Sequence, residues 1–407
     1  MHILDQLKER GFIAQVTFEE DLYKAMEKEP MTFYLGVDPT ADSLHVGHFI
    51  PILMSAHLQR AGHKPIILCG GGTAMVGDPS GKTELRRMLT QQTIAENVSS
   101  IQKQLSRFLD FGEGKATMVN NADWLLQLNY VEFLRDIGAL FSVNHMLAAD
   151  CYKKRLEVGL TFLEFNYMLM QSYDFLQLFK THGCRLQIGG DDQWSNILSG
   201  ADLIRRKERE DAFALTCKLI MTADGKKMGK TEKGALWLDP TRTSPYDFYQ
   251  YWRNVQDADV ERFLGLLTFL PMDEVRRLGA LKDSAINEAK RVLAFEITKM
   301  IHGEDEALKA QDAAQSLFGA GGGMENVPTF EVNTAMLHED NHLTSLLAQC
   351  GLCASRSEAR KMVQSGAVLV GEEKVTDIEY RIESSRISTD GLLLRKGKKS
   401  YCRLMLK

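Results

Sequence analysis

Four short apolar runs in the first half of the chain constrain its fold more than any other feature. Residues 33–37 lead into a polar turn. Residues 64–69 lead into Gly70-Gly71-Gly72-Thr73, residues 117–119 into Asn120-Asn121, and residues 184–188 into Gly189-Gly190-Asp191-Asp192. Between the first two lies a stripe at helical spacing: Phe49, Ile50, Leu53, Met54 and Ala56. Continuous apolar strands alternating with helices predict a Rossmann-like parallel sheet covered on both faces, an α/β fold. Ligands of such sheets sit beyond the carboxyl ends of the strands, where the Gly, Asp and Asn residues of this chain collect.

At 407 residues the chain exceeds one core, so several domains are expected. From Tyr246 the strand pattern stops, and Ala289, Val292, Leu293, Ile297, Met300 and Ile301 repeat at helical spacing. Glycines at 319–323, with Pro328 beyond, mark a flexible boundary. The expected division is 1–223 for the parallel-sheet domain, 224–318 for a glycine- and lysine-bearing loop plus a helical domain, 319–340 for a linker, and 341–407 for a small α/β domain. The formal charge of −5 conceals an asymmetry: residues 341–407 hold 12 basic against 7 acidic side chains, leaving −10 on the rest. A basic end on an acidic chain points to an anionic partner. No apolar run reaches bilayer length, and the N-terminus has no secretory or transit pattern, so a cytoplasmic protein without a membrane role is expected. Seven cysteines without framework spacing read as reduced thiols, and the Cys350/Cys353 pair as core residues. No protein-bound metal is expected.

Three constellations carry chemistry. His45-Val46-Gly47-His48 opens the first long helix, where free N–H groups and a partial positive charge favour anions. Gly47 admits a nucleotide close to the backbone, and two imidazoles can donate to phosphate oxygens as charge builds there. A helix-capping pair and an H-x-x-H metal site are the competing readings. Lys227-Met228-Gly229-Lys230-Thr231 suits a polyphosphate leaving group, against the alternative of a solvated loop. Tyr167, Gln171 and Asp174 fall on one face of a largely apolar helix that includes Phe162, Leu163, Phe165, Met168 and Phe175. A buried polar stripe needs a bound partner, and a solvent-facing stripe does not. Periodicity alone leaves that choice even.

An H-x-G-H after the first strand, followed by K-M-x-K-[ST] beyond an α/β domain, resembles the paired signature of class I aminoacyl-tRNA synthetases. Residues 33–239 further resemble the bacterial tyrosyl enzymes. The match rests on Tyr34-Leu35-Gly36-Val37-Asp38-Pro39-Thr40, Gly77-Asp78-Pro79-Ser80-Gly81-Lys82, the Tyr167/Gln171/Asp174 stripe, and Gln187-Ile188-Gly189-Gly190-Asp191-Asp192-Gln193-Trp194. Val46 departs conservatively from the usual signature, and Gly229 and Thr231 replace its two serines. The resemblance implies that Tyr34 and Asp174 hold a substrate phenol, that Asp78, Tyr167 and Gln171 hold its ammonium group, and that Gln187 lines the same pocket. It implies that Gly36, Asp38, Thr40, His45, Gly47, His48, Gly190, Asp192, Gln193 and Lys230 line an ATP site. His45, His48, Lys227, Lys230 and Thr231 would act on the transition state, and Lys82 and Arg86 would meet pyrophosphate. ATP with Mg2+ is the implied co-substrate, tyrosine and tRNA(Tyr) are the implied partners, the helical domain is implied to bind the anticodon, and the implied assembly is a homodimer.

At the far end, Ser355-Arg356-Ser357-Glu358 reads as a capping box. Arg356, Arg360 and Lys361, with Lys396, Lys398 and Lys399, form two basic clusters suited to an RNA backbone. This segment resembles an RNA-binding module first named for a small-subunit ribosomal protein. Three other readings remain: a tryptophanyl enzyme, a nucleotidyltransferase acting on a small metabolite, and an RNA binder without catalysis.

Overall fold

The structure is a computed structural model that describes residues 1–80, 90–219, 221, 228, 230–231, 234–316, 328–389, 391–397 and 400–407; of residues 91, 154, 230, 231, 234 and 335 only the backbone is described. Lys82, Arg86, Lys227, Lys398 and Lys399 lie outside the described residues. The chain divides into two compact units: Met1–Lys230 with Ala235–Arg242 and Val255–Ala289, and Thr231–Gly234 with Thr243–Asn254 and Lys290–Lys407.

The first unit is built on a six-stranded sheet. Its strands are β1 (Ile13–Val16), β2 (Thr32–Val37), β3 (Lys64–Cys69), β4 (Thr117–Asn120), β5 (Leu186–Gly190) and β6 (Phe213–Cys217), in the order β1-β6-β5-β2-β3-β4. β2 to β6 are mutually parallel, and β1 pairs antiparallel to β6 at one edge. The expected strands are all present. β1 and β6 are additions; the mixed, half-buried residues of β1 carry no continuous apolar run to signal it. From β2 the chain builds outward through β3 and β4 on one side, and β5 and β6 fill the other. The order therefore reverses between β2 and β5, which opens a crevice at their carboxyl ends. In the β2–β5 register Tyr34 stands opposite Gln187, so both side chains enter that crevice wall on one face.

Helix Phe49–Arg60 links β2 to β3. Phe49, Ile50, Ile52, Leu53 and Met54 are all buried, because helix Val260–Leu267 packs on it as well as the sheet. Arg10 fastens this cover: its guanidinium donates to Gly265 O and Thr268 O at 3.0 Å and to Leu270 O at 2.5 Å. Burial beside Arg10 and Arg60 pushes His57 down to about 3, so it packs as a neutral ring. Helix Tyr167–His182 ends on Gly183 in the left-handed conformation, φ 61°. Helix Trp194–Glu208 packs so closely on it that a Cβ on Gly200 would lie 3.0 Å from the Phe175 ring. The expected apolar helix is interrupted. Residues Phe162–Phe165 form a separate short turn capped by Thr161, and Phe162 and Leu163 are 69% and 46% exposed. The helical stripe predicts these two residues packed with Met168 and Phe175, and instead they face outward.

The second unit holds helices Pro245–Arg253 and Glu304–Ser316, packed together over Phe248 and Trp252. It also holds a five-stranded sheet of β7 (Thr329–Val332), β8 (Val368–Val370), β9 (Glu373–Val375), β10 (Leu392–Lys396) and β11 (Ser400–Leu406), ordered β9-β8-β10-β11-β7. Its core includes Leu343, Leu346, Leu347, Ala359, Val363 and Leu394. No disulfide joins the cysteines of the described residues. No helix among the described residues is long and apolar enough to cross a membrane.

Candidate active site

The crevice between β2 and β5 gathers the predicted stripe. Tyr34 is fully buried, and its hydroxyl has no hydrogen-bond partner among the described residues. Gln187 Oε1, from the neighbouring strand, and Gln171 Oε1, from helix Tyr167–His182, are buried and unpartnered in the same way. Three orphaned polar atoms from elements that the sheet and helix bring together are costly unless a polar ligand satisfies them. The choice that periodicity left even is resolved for Asp174: it is 1% exposed, not a surface acid.

Asp174 accepts from Asn121 Nδ2 at 2.8 Å and from Trp124 Nε1 at 2.7 Å. Burial pushes its carboxyl up to about 7; the two donors oppose that rise and Asp38 adds to it. Burial, with Asp174 nearby, also raises Tyr34 well above the usual phenol range, which keeps it a hydroxyl. The pocket thus offers an acceptor from Asp174 and a neutral hydroxyl from Tyr34, the pair that a phenolic O–H needs.

At the other end, Tyr167 donates to Asp38 Oδ2 at 3.1 Å, and Thr73 donates to Asp38 Oδ1 at 3.0 Å. Asp78 Oδ1 accepts from Ser80 N at 2.9 Å, and its Oδ2 from Gln193 Nε2 at 2.8 Å. Gln193 is held in turn by Asn196 at 3.2 Å. This end has two carboxylates and suits an ammonium group. Gly70 must lack a side chain here, because a Cβ would fall 2.1 Å from Asp38 Oδ1.

The nucleotide end lies past β2. His45-Val46-Gly47-His48 forms a single 3-10 turn before helix Phe49–Arg60, so it precedes the helix that it was expected to open. His45 Nδ1 accepts from Gly47 N at 3.0 Å, and His48 Nδ1 accepts from His45 N at 3.2 Å. The rings stack at 4.0 Å. Because both Nδ1 atoms accept, each Nε2 carries the hydrogen, and the pair presents two donors. The pair thus caps the 3-10 turn rather than helix Phe49–Arg60, and the capping also orients the rings. Gly36 and Thr40 are exposed on the same rim, and a Cβ at Gly36 would meet nothing within 4 Å, so there is room for a ligand over the strand. Gly190 ends β5 and the exposed Asp192 follows it; a Cβ on Gly190 would meet Asp192 Oδ1 at 2.6 Å. Asp191, beside them, is tied back to Gln15 and Thr216 at 2.7 and 2.9 Å.

Sequence reasoning missed Thr73, Asn121, Trp124 and Trp237 as site residues. Trp237 packs edge-on to His45 at 5.8 Å and lies under Arg242 at 4.5 Å. Asn121 offered one signal, its position just past the end of a strand. Lys230 and Thr231 form a short strand whose side chains are not described. In the second unit Arg356 is paired with Asp340, and Lys396 with Glu358 at 3.0 Å. Two of the expected RNA contacts are thus already engaged by acids, while Arg360 is exposed and Lys361 is exposed beside it.

Comparison with known proteins agrees with this geometry. Residues 26–319 match a family model described as tRNA synthetases class I (W and Y), and residues 321–404 match one described as the tyrosine--tRNA ligase SYY-like C-terminal domain. The chain is 58% identical over 407 residues to a tyrosine--tRNA ligase of Caldanaerobacter subterraneus subsp. tengcongensis, covering 100% of each. It is 57% identical to that of Clostridium tetani, covering 100% of this chain and 99% of that one. A C-terminally truncated Aspergillus nidulans mitochondrial tyrosyl-tRNA synthetase superposes with a TM-score of 0.70 at 31% identity, covering 78% of this chain and 94% of that chain. The chain belongs to the class I tRNA synthetases (W and Y), on the tyrosyl side that its motifs resemble.

Proposed function

We propose that this protein is a tyrosine--tRNA ligase that activates L-tyrosine with MgATP and transfers it to the 3′ end of tRNA(Tyr). The observation that carries the reading is the buried triple of unpartnered oxygens, Tyr34 Oη, Gln171 Oε1 and Gln187 Oε1, beside Asp174. In this reading the substrate phenol donates to Asp174 and accepts from Tyr34. Its ammonium group lies among Asp78, Tyr167 and Gln171, with Gln187 on the wall. A phenylalanine ring would leave the buried Tyr34 hydroxyl without a partner and Asp174 without a phenolic donor. Tyrosyl enzymes are themselves the standard example of that penalty, rejecting phenylalanine by about 10⁵-fold without editing, and the magnitude is theirs rather than one read from these distances.

The tyrosine carboxylate oxygen attacks the α-phosphorus of ATP. The bond to the β-phosphate oxygen breaks, and pyrophosphate leaves. A terminal ribose hydroxyl of tRNA then attacks the acyl carbon, releasing AMP. No side chain forms a covalent bond; the site works by positioning and by meeting charge as it develops. Gly36, Asp38, Thr40, Gly47, Gly190, Asp192 and Gln193 line the nucleotide. The Nε2–H groups of His45 and His48, with Lys227, Lys230 and Thr231, meet the phosphates in the transition state, and Lys82 and Arg86 meet pyrophosphate. Mg2+ arrives on the nucleotide, whose phosphate oxygens suit a hard cation.

The finer assignments belong to the same reading. Residues 1–223 act as the catalytic domain and 224–318 as the lysine loop with the anticodon-binding helices. Residues 319–340 are a linker, and 341–407 contact RNA through Arg356, Arg360, Lys361, Lys396, Lys398 and Lys399. The protein works in the cytoplasm as a homodimer. Support for the dimer comes from large apolar side chains exposed within a short stretch: Val131 at 72%, Phe162 at 69%, Tyr130 and Val158 at 60%.

ATP–pyrophosphate exchange against a panel of amino acids tests the proposal. Exchange should depend on tyrosine alone. Exchange driven by tryptophan, or by none of the panel, would overturn it.

A further inference from the structure

The loop from Asp38 to His45 carries Asp38, Thr40 and His45, yet it is neither helix nor strand. On its outer side a polar groove of about 580 Å³ opens between Thr40, Asp42, Glu96, Asn97 and Arg242. Along this groove the loop is held by hydrogen bonds, in addition to the buried Leu44. Helix Gln91–Leu105 supplies them from two residues seven apart, on one face. Asn97 is 5% exposed, and its Nδ2 donates to Pro39 O at 2.9 Å. Gln104 Oε1 accepts from Leu44 N at 2.8 Å. The two amides thus grip the loop at both ends.

Gln104 reaches further. Its Nε2 donates to Ser43 Oγ at 3.3 Å, and Ser43 Oγ also accepts from Asp239 N at 3.2 Å. Around this hub, Val46 N donates to Leu236 O at 3.0 Å and Leu238 N to Leu44 O at 2.9 Å. The segment 236–239 begins five residues after Thr231, the last residue of the K-M-G-K-T motif. The brace therefore touches the histidine loop and the chain leaving the lysine loop at one point.

We propose that Asn97 and Gln104 are positioning residues for amino-acid activation: they hold the 38–45 loop, and through Ser43 the segment after the second signature motif, in register for the attack on the α-phosphate. The proposal rests on the activation reaction assigned above. Neither residue touches the tyrosine pocket, whose walls are Tyr34, Asp78, Tyr167, Gln171 and Asp174. Misplacing phosphate-facing groups by an ångström slows chemistry without weakening the binding of the amino acid.

Gln104→Met and Asn97→Ala should each lower kcat for tyrosine-dependent pyrophosphate exchange by about tenfold to a hundredfold. Tyrosine affinity, read by calorimetry without ATP, should stay within about twofold. Gln104→Glu keeps an acceptor for Leu44 N and, since Ser43 Oγ lies 3.4 Å from Oε1, one for the Ser43 hydroxyl, and should recover kcat to within about threefold of wild type. The proposal is overturned by wild-type kcat in both truncated variants. It is equally overturned by a parallel loss of tyrosine affinity, which would mean a general structural role, or by a Glu variant no better than Met. Absence of tyrosine-dependent exchange in the wild-type protein would instead sink the functional assignment.

Discussion

Asn121 Nδ2 lies 2.8 Å from Asp174 Oδ2 and 3.1 Å from Thr73 Oγ1, so one amide joins the phenol end of the pocket to its ammonium end. Thr73 passes the connection to Asp38, and Asp38 accepts from Tyr167. The residues come from the end of β2, the turn after β3, the turn after β4 and the buried helix. A line of directed bonds across four elements fixes the two recognition ends at a set separation, as specific recognition of one amino acid requires.

The donors on Asp174 should therefore matter to affinity. Trp124→Phe removes the 2.7 Å bond to Oδ1 while keeping most of the ring volume. A hydrogen bond to a charged group contributes about 1.5–3 kcal/mol, so tyrosine should bind about 10- to 100-fold more weakly. Calorimetric titration reads this directly. An unchanged dissociation constant would mean that packing alone orients Asp174.

Tyr34→Phe should act with opposite signs on stability and binding. The hydroxyl is buried without a partner, so its removal should leave the thermal midpoint of the unliganded protein unchanged or higher. Tyrosine affinity should fall by about 0.5–1.5 kcal/mol, the worth of one neutral hydrogen bond. Phenylalanine should gain relative to tyrosine in pyrophosphate exchange. A fall in the midpoint would show that the hydroxyl is satisfied in solution.

Asp174 also predicts a pH dependence. Its folded pKa, about 7, lies above the unfolded value of about 3.9. Below about pH 4 the group is protonated in both states and has no effect. Between about 4 and 7 the native state keeps a proton that the unfolded chain has lost, so stability falls as pH rises. Above about 7 the full cost is present, roughly 4 kcal/mol at most. Asp174→Asn removes this slope. The midpoint of that variant, relative to wild type without ligand, should climb from about pH 4.5 to 7 and then level off. A constant difference across that range would contradict a buried, titrating carboxyl.

The approach to Tyr167 carries a buried ion pair. Arg155 Nε donates to Glu164 Oε1 at 2.9 Å, and both side chains are about 5% exposed or less. Glu164 also caps the turn by accepting from Thr161 N at 3.1 Å. Glu164→Ala leaves a buried guanidinium uncompensated and should destabilise by about 3–5 kcal/mol. Joint replacement of Arg155 and Glu164 by Met and Leu should recover most of that in a chemical denaturation curve. If the single variant lost less than about 1 kcal/mol, the charge would have found water.

The parallel sheet, the crevice at its carboxyl edge and the chemical type of the site were legible from the amino acids alone. Those follow from local rules: apolar runs make strands, and Gly, Asp and Asn end them. Tyr167, Gln171 and Asp174 sat on one helical face by simple periodicity, and His45 and His48 stood out by spacing. The burial of Asp174 emerged only on folding, because it depends on what Asn121 and Trp124 bring from the segment after β4. Folding likewise turned Phe162 and Leu163 outward, since the capped turn at Thr161 breaks the helix that periodicity would continue. The brace from Asn97 and Gln104 belongs to the same class: an amide on an amphipathic helix has no sequence signature until folding sets a loop carbonyl and a loop N–H within its reach.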